Sequence, residues 1–293
     1  MIEPIKILTF TPVYKRFEIF AICLKGLARL VNYKPEKFKI IPFFIVSGDE
    51  ERDMVESFGF DYLFYKNEPL GEKKNAGLNH IVKNFDFDYL MEVGSDDLIA
   101  DDYLDFIEPE LKKKTPVFNI STVYFIDTVS GKSAKWETDI VMGAGRCIKK
   151  DCILNSFSVE FKFSQNMAGP DVHYQRKKPY LIPIKSAKQY ELTGYGEIVS
   201  LGLPYLWNNE GERGMDTFSM NVLKRFGIEN KIVKTDKIYL LDIKSRAGLN
   251  KFDCFIPMDE TEKIFKRFTE AVDIKRLIEA NNLIPIKRKK AKI

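Results

Sequence analysis

The chain has 293 residues, with 46 lysines and arginines against 42 aspartates and glutamates, a formal net charge of +4. Five of those bases lie in residues 287–293, and without this tail 41 bases face 42 acids, which excludes a protein coated in positive charge. With 45% hydrophobic residues, 23 Phe and 13 Tyr, the chain has ample core material and is not disordered. The longest strongly apolar run, residues 40–46, is far shorter than the roughly 20 residues of a membrane helix, and no secretory leader is evident. We therefore expect a cytosolic protein that makes no membrane contact.

Strands and helices alternate through the first 113 residues. The predicted strands are residues 5–10, 40–46, 62–65 and 89–93, and the predicted helices are residues 17–31, 50–58, 72–84 and 101–113. This alternation is typical of βαβ units around a parallel sheet. Ligands in such sheets bind at the carboxyl ends of strands, so we expect a site at the turns 11–16, 47–49 and 94–97.

The second half of the chain is less regular. Its predicted strands are residues 117–126, 140–148 and 237–243, and its predicted helices are residues 216–226 and 260–279. Residues 155–200 show no clear period. Because no repeat or linker-like segment precedes the basic tail, we predict one domain over residues 1–286 and a tail over residues 287–293.

The histidines and cysteines limit the available chemistry. The four cysteines form no C-x-x-C pair, and the sequence has only two histidines, His80 and His173. A structural zinc site is therefore not expected. Neither histidine lies in a nucleophile motif, so we do not expect a Ser-His-Asp or Cys-His mechanism.

The strongest single motif is residues 91–99, MEVGSDDLI. A buried strand there delivers two adjacent carboxylates, Asp96 and Asp97, into a turn. Hard oxygen ligands of this kind suit Mg²⁺ or Mn²⁺, which bind diphosphate oxygens in turn. The alternative is a surface acid pair that caps the helix beginning at Asp101.

Together with three other segments, this motif resembles the GT-A class of nucleotide-sugar glycosyltransferases, over roughly residues 5–245 as an order of elements. In that class the first strand ends in a turn that cradles the nucleotide base, as residues 11–16 (TPVYKR) would, and the second ends near a polar or acidic base contact, as residues 47–49 (SGD) would. A helix with Lys, Asn and Gly precedes the metal strand, as residues 71–77 (GEKKNAG) do. The D-x-D motif of the family is altered, because Gly94 replaces its first Asp while Asp96 keeps the second, the usual metal ligand.

Two segments of the second half extend the resemblance. Residues 142–146 (MGAGR) look like the Gly-Ala-Gly-Arg stretch of phage-type members. Glycines let the backbone approach a sugar or diphosphate closely, and the guanidinium of Arg146 can bind two oxygens at once. The alternative is a β-bulge with a surface arginine. Residues 207–216 (WNNEGERGMD) form an acid-rich loop before a helix. In inverting members an acid near this point deprotonates the acceptor hydroxyl, so Asp216 is the candidate base, with Glu210 and Glu212 behind it. The alternative role of Asp216 is a helix N-cap.

The resemblance implies an α/β fold, a GT-A-like Rossmann-type sandwich with a mostly parallel central sheet flanked by helices. Residues 1–115 would bind the nucleotide sugar and residues 116–286 would face the acceptor. The implied activity is metal-dependent hexosyl transfer from a nucleotide-diphosphate sugar, such as a UDP-sugar, with Mn²⁺ or Mg²⁺ on Asp96 and Asp97. Lys244 at the end of the last strand would neutralise the leaving diphosphate, unless it is an ordinary solvated lysine. The expected donor contacts are Thr11, Pro12, Tyr14, Arg16, Asp49, Lys73, Asn75, Ser95, Asp96, Arg146 and Lys244.

The acceptor is the most open part of the prediction. Aromatic and basic residues interleave over residues 157–190, which is typical either of a base-stacking surface or of a half-buried surface with snorkelling lysines. The phage-type resemblance favours a hydroxymethylated pyrimidine in DNA, and the basic tail agrees with it. A glycan or protein acceptor is the alternative, as is a non-catalytic DNA-binding or structural protein on a degenerate transferase fold. A sugar-phosphate nucleotidyltransferase is disfavoured because residues 11–16 contain no glycine.

Overall fold

The computed structural model describes residues 3–139, 142–155, 158–163, 180–183, 191–192, 196–200, 206–207, 215–245, 252, 255 and 257–283. The helices in these ranges are α1 (Phe17–Val31), α2 (Asp49–Ser57), α3 (Leu70–Asn84), α4 (Tyr103–Lys112), α5 (Lys150–Asn155), α6 (Met215–Arg225), α7 (Thr261–Arg267) and α8 (Ala271–Leu283). The strands are β1 (Ile5–Pro12), β2 (Phe38–Val46), β3 (Asp61–Phe64), β4 (Tyr89–Glu92), β5 (Asp97–Ile99), β6 (Val117–Ile120), β7 (Thr122–Asp127), β8 (Ser133–Glu137), β9 (Cys147–Lys149), β10 (Ser158–Phe163), β11 (Tyr180–Pro183), β12 (Gly196–Ser200), β13 (Asn230–Val233), β14 (Leu240–Lys244) and β15 (Pro257–Met258). Among the described residues, no helix has the length and apolar character needed to cross a bilayer.

A seven-stranded sheet, in the order β13-β6-β9-β4-β1-β2-β3, forms the centre of the fold. All of its neighbouring strands run parallel except β9, which is antiparallel to both β4 and β6. The first four predicted strands and the βαβ alternation are confirmed. The structure is the mixed α/β fold with helix-flanked sheets that the sequence predicts.

Helices cover both faces of this sheet. Successive residues of a strand point to opposite faces, so the apolar residues of one strand pack against helices on both sides. Ile7 belongs to an apolar cluster that includes residues of α1, α4, α7 and α8, whereas Leu8 and Phe10 belong to a second cluster that includes residues of α3, α5 and α6. Continuous apolar runs in β1 and β2 are the signature of strands buried on both faces. The sheet therefore forms the middle layer of a sandwich, and its strand ends are the accessible parts.

Two smaller sheets complete the described structure. One has the order β15-β8-β7-β14-β5 and the other the order β11-β10-β12. In the five-stranded sheet, β14 runs antiparallel to β5, and its register places Asp242 opposite Asp97. This pairing brings a residue near the end of the chain against the strongest motif of its first half.

Three predicted elements differ from the structure. The strand predicted at 117–126 is two strands in different sheets, because the chain crosses over at Ser121, whose N–H donates to Val233 O. Of the strand predicted at 140–148, the described part is extended only from Cys147, and Gly145 turns the chain with φ +69°. The helix predicted at 260–279 is two helices, since the chain turns at residues 268–270.

Candidate active site

A cleft of about 540 Å³ opens at the carboxyl ends of β1 and β4. The turn after β1, the turn between β4 and β5, the end of β14 and the start of α6 all contribute to it. The predicted site residues that line it are Pro12, Tyr14, Arg16, Lys73, Ser95, Asp96, Asp97, Asp216 and Lys244. The fold thus gathers residues from positions 12 to 244 at one place.

Three carboxylates meet at the centre of the cleft, and we call Asp96, Asp97 and Asp242 the carboxylate cluster. Oxygens of all three lie within 4.8 Å of one another. Asp96 and Asp97 follow β4, and the β14–β5 register adds Asp242. Asp242 was missed as a site residue, although an acid beside Lys244 in an otherwise apolar strand was a usable signal.

The glycine that replaces the first Asp of the D-x-D motif has a steric reason in this cluster. The N–H of Gly94 donates to Asp97 Oδ2 at 2.6 Å. A Cβ added at Gly94 would lie 2.8 Å from both Asp96 Oδ1 and Asp97 Oδ2, closer than real Cβ contacts come. A side chain at position 94 would therefore have to displace the carboxylate oxygens of Asp96 and Asp97, and Asp242 supplies a third carboxylate from another strand.

Two basic side chains face the carboxylate cluster. Arg16 donates to Asp96 Oδ2 at 2.5 Å and to Ser95 Oγ at 3.1 Å. Lys244 donates to Asp242 Oδ2 at 2.5 Å and is buried. Three acids against two bases leave one surplus negative charge among these groups.

Burial, and then this crowding of negative charge, raises the pKa values of two carboxyl groups in the cluster. Burial, with the neighbouring charge of Asp96, raises the pKa of Asp97 to about 7. Burial and Asp96 also raise the pKa of Asp242 well above its ordinary value. A carboxylate disfavoured in its charged form is stabilised by a proton or by a nearby cation.

The cluster fits a divalent cation. Its ligands are hard carboxylate oxygens, which Mg²⁺ and Mn²⁺ prefer. Asp242 Oδ1 is buried and has no hydrogen-bond partner among the described residues, so this oxygen lacks the partner that a cation would supply. Asp96, Asp97 and Asp242 are the residues that would hold such an ion.

A second part of the cleft lies between the turn after β1 and the start of α3. Lys73 is fully buried there and donates to Val13 O at 2.5 Å, to Ser47 Oγ at 2.7 Å and to Asn67 Oδ1 at 3.3 Å. Since these partners are all neutral, burial lowers the pKa of Lys73 to about 8. Lys73 ties the ends of β1 and β2 together, while Tyr14 remains 42% exposed above them.

Asp216 also lines the cleft, from the first turn of α6. It is the second residue of that helix, one position past the first helical residue, and its Oδ2 accepts the N–H of Gly143 at 2.9 Å. Arg146 approaches the other oxygen, with Nη2 3.7 Å from Oδ1. The Asp216 side chain is held by these two contacts and is 40% exposed, so it remains accessible from the cleft.

Arg146 itself belongs to a buried charge network beneath the cleft. Its side chain is fully buried, its Nε donates to Glu92 Oε2 at 2.6 Å, and its Nη2 forms an ion pair with the same oxygen. Lys74 donates to Glu92 Oε1 at 2.8 Å and lies 4.2 Å from the centre of the Trp207 ring. Burial would raise the pKa of Glu92, but the charges of Arg146 and Lys74 outweigh it and hold that pKa below its ordinary value.

Three other predicted donor contacts also lie outside the lining of the cleft. Thr11 is fully buried within β1. Asp49 is largely exposed and pairs with Arg52 on its own helix. Asn75 is buried and holds the chain at Trp207, donating to Trp207 O at 2.6 Å and accepting two backbone N–H groups. Glu210 and Glu212, the tail 287–293 and most of segment 157–190 lie outside the described residues.

Aromatic side chains line the cleft on the β7–β8 side, and we call Phe125, Trp136 and Phe255 the aromatic wall. Phe125 and Phe255 stack with ring centres 4.0 Å apart, and Trp136 lies 6.4 Å from Phe255. Lys244 Nζ is 5.2 Å from the centre of Phe125, so the wall adjoins the carboxylate cluster. Trp136 is 40% exposed, which leaves it accessible to a bound ring.

No protein-family model matches the chain, and no curated protein matches its sequence. Solved structures are similar at a distance. S. aureus TarS, residues 1–349, is 14% identical with a TM-score of 0.43, and its complex with UDP-GlcNAc is 15% identical with the same score; each alignment covers 94% of this chain. The chain spans only 65% and 66% of those two structures. A 4-diphosphocytidyl-2C-methyl-D-erythritol synthase is 9% identical, with a TM-score of 0.44 over 79% of this chain and 90% of its own. With likeness at this level, the functional argument rests on the geometry of the cleft.

Proposed function

We propose that the protein is a metal-dependent glycosyltransferase, which moves a hexosyl group from a nucleotide-diphosphate sugar to an acceptor hydroxyl. The observation that carries this proposal is the cleft itself. It is lined by the carboxylate cluster, by Arg16 and Lys244, and by a separate half-exposed carboxylate, Asp216. A site for a cation and diphosphate in the same cleft as a proton acceptor suits group transfer with an anionic leaving group.

The donor would lie in the part of the cleft that is formed by the ends of β1, β2 and β4. We propose that the nucleoside binds near Tyr14 and Lys73, at the ends of β1 and β2. The diphosphate would then reach the carboxylate cluster, where Asp96, Asp97 and Asp242 would hold Mn²⁺ or Mg²⁺. Such an ion, when bound, neutralises charge on the diphosphate oxygens. Arg16 and Lys244 add two positive charges at the same place, which favours a nucleotide-diphosphate donor such as a UDP-sugar.

The proposed transfer step uses both the carboxylate cluster and Asp216. The acceptor hydroxyl oxygen forms a bond to the anomeric carbon while the bond from that carbon to the diphosphate oxygen breaks. The bonding electrons leave with the nucleoside diphosphate, whose growing negative charge Lys244 and Arg16 stabilise. The Asp216 carboxylate takes the proton of the hydroxyl. Its exposure to the cleft and its fixed position on α6 support this role.

The acceptor side is proposed from the aromatic wall. Phe125, Trp136 and Phe255 present flat apolar surface beside the carboxylate cluster, which suits the face of a sugar ring or a nucleobase. The phage-type resemblance favours a hydroxymethylated pyrimidine in DNA, and a glycan or protein hydroxyl is the alternative. The DNA proposal depends mainly on residues 157–190 and on the tail, most of which lie outside the described residues.

A donor and acceptor panel tests this function. The wild-type protein is incubated with Mn²⁺, one of several nucleotide sugars, and hydroxymethylated DNA, unmodified DNA or a glycan. The mass of each acceptor is then measured by mass spectrometry. One acceptor should gain the mass of a hexosyl group, and Asp216→Asn should lower turnover more than donor affinity. If no acceptor gains mass and no nucleotide sugar raises the melting temperature, the non-catalytic alternative on a degenerate transferase fold replaces this proposal.

A further inference from the structure

The position of segment 142–146 in the fold differs from the one that its sequence predicts. A glycine-rich stretch with an arginine suggests contact with a diphosphate, but the Arg146 side chain is fully buried and does not line the cleft. Its guanidinium lies between Glu92 on β4 and the first turn of α6. Met142, Gly143 and Ala144 line the cleft, and Gly143 and Arg146 contact Asp216 there.

We propose that Arg146 and Gly143 together hold the Asp216 carboxylate in the orientation needed for proton transfer, with Glu92 as the anchor of Arg146. This inference rests on the proposed function, because it gives Asp216 the role of base. Arg146 is then a positioning residue, which acts on the reaction through Asp216 and does not touch the substrate.

Arg146 contacts Asp216 at two points. Its Nη1 donates to the backbone carbonyl of Asp216 at 3.4 Å, and its Nη2 lies 3.7 Å from the carboxylate oxygen Oδ1. Two contacts from one planar guanidinium fix both the start of α6 and the side chain that it presents. Glu92 fixes the guanidinium in turn, since it accepts from Nε at 2.6 Å.

Gly143 contacts the same carboxylate from the other side. Its N–H donates to Asp216 Oδ2 at 2.9 Å. A Cβ at this position would lie 2.6 Å from Oδ1 and 3.0 Å from Oδ2, so any larger residue would displace the carboxylate from its present position. Gly143 is not in the left-handed region, so an alanine there would disturb the carboxylate rather than the local backbone.

The charges of this network balance. Lys74 and Arg146 are positive, and Glu92 and Asp216 are negative, so the buried arginine has a partner on each side. In several proteins buried ion pairs of this kind fix one conformation while adding little stability, and we assign that role to this network. Asp216 is the only one of the four with a substantially exposed side chain, which is where substrate can reach it.

Two variants test the inference from the two sides of Asp216. Arg146→Lys keeps the charge but removes the fork, and Gly143→Ala crowds the carboxylate without changing the buried charges. Arg267→Lys is the matched control, because Arg267 also bonds a backbone carbonyl, Ile238 O at 3.0 Å, and an aspartate, Asp102, away from the cleft. For each variant, turnover, donor KM, melting temperature and the exchange rate of the Gly143 amide are measured, the last by NMR.

Both variants should lower turnover by about 10- to 100-fold, while donor KM stays within about twofold of wild type. The Gly143 amide should exchange faster in Arg146→Lys than in wild type or in Arg267→Lys. The inference is overturned if either folded variant keeps wild-type turnover, if the loss appears in donor KM instead, or if folded Arg146→Lys leaves the Gly143 exchange rate unchanged. If the wild type transfers no sugar, the proposed function fails. Faster exchange then preserves the placement of Asp216 and removes only its catalytic use.

Discussion

Glu92→Gln should strongly destabilise the protein, because it removes the one carboxylate shared by two buried cations. Glu92 is 4% exposed and accepts hydrogen bonds from Lys74 and Arg146. Removing one partner of a buried ion pair costs about 3–5 kcal/mol, since an uncompensated charge remains. Arg146 retains Asp216 and Lys74 retains the Trp207 ring, so we expect the lower end, about 3 kcal/mol.

Differential scanning calorimetry at pH 7 measures this loss. For a chain of 293 residues, a loss of about 3 kcal/mol corresponds to a fall in melting temperature of about 5 °C. The control is Asp86→Asn, which breaks an exposed ion pair with Lys6 and should leave the melting temperature nearly unchanged. An equally small effect of Glu92→Gln would refute the assignment of Glu92 as the anchor of the network.

The same variant has a pH signature. The pKa of Glu92 is below its ordinary value in the folded state, so its contribution to stability is present above about pH 4.5 and is lost as the pH falls through the folded pKa. The difference in melting temperature between wild type and Glu92→Gln should therefore have its maximum value at pH 7. It should narrow in strongly acidic buffer, and a gap independent of pH would contradict an ionic role.

Three further outcomes are expected. Mn²⁺ should raise the melting temperature of wild type and raise that of Asp242→Asn less, because the variant loses one carboxylate of the cluster; equal shifts would remove Asp242 from the proposed metal site. Because burial lowers the pKa of Lys73 to about 8, the folded state binds fewer protons than the unfolded state above that pH. The stability of wild type relative to Lys73→Met should rise between pH 8 and pH 10.5, by at most about 1.4 kcal/mol per pH unit. If urea titrations show the same stability difference at every pH, the lowered pKa of Lys73 is contradicted. Trp136→Ala should raise the KM for the acceptor but not for the donor, and an effect on the donor alone would place the aromatic wall on the wrong side of the cleft.

The elements of the first half could be predicted from the sequence because local patterns determine them. Continuous apolar runs mark β1 and β2 as buried strands, and helical spacing of apolar residues predicts α1 with its observed bounds. The second half depends on pairing between distant segments. No local pattern shows that residues 117–126 change sheets at Ser121, because the cause is the position of β13 and β14.

The site shows the same division. The turn at Asp96 and Asp97 could be found because a strand with two terminal acids is a local pattern. Asp242 joins them only through the register of β14 on β5, which spans 145 residues of sequence and is not readable from either segment alone. Arg146 was predicted as a donor contact from its glycine-rich surroundings. Its burial against Glu92 depends on the antiparallel pairing of β9 with β4, so the sequence alone could not place it.

Isothermal titration calorimetry with a nucleotide-diphosphate sugar tests the central claim most directly. The titration compares wild type with Asp96→Ala and Asp216→Asn, each with and without Mn²⁺. The account predicts Mn²⁺-dependent binding to wild type, loss of that binding in Asp96→Ala, and near-normal binding to Asp216→Asn, because Asp216 is proposed to act on the acceptor and not on the donor. No binding to wild type by any nucleotide sugar, or equal binding to wild type and Asp96→Ala, would contradict a donor site at the carboxylate cluster.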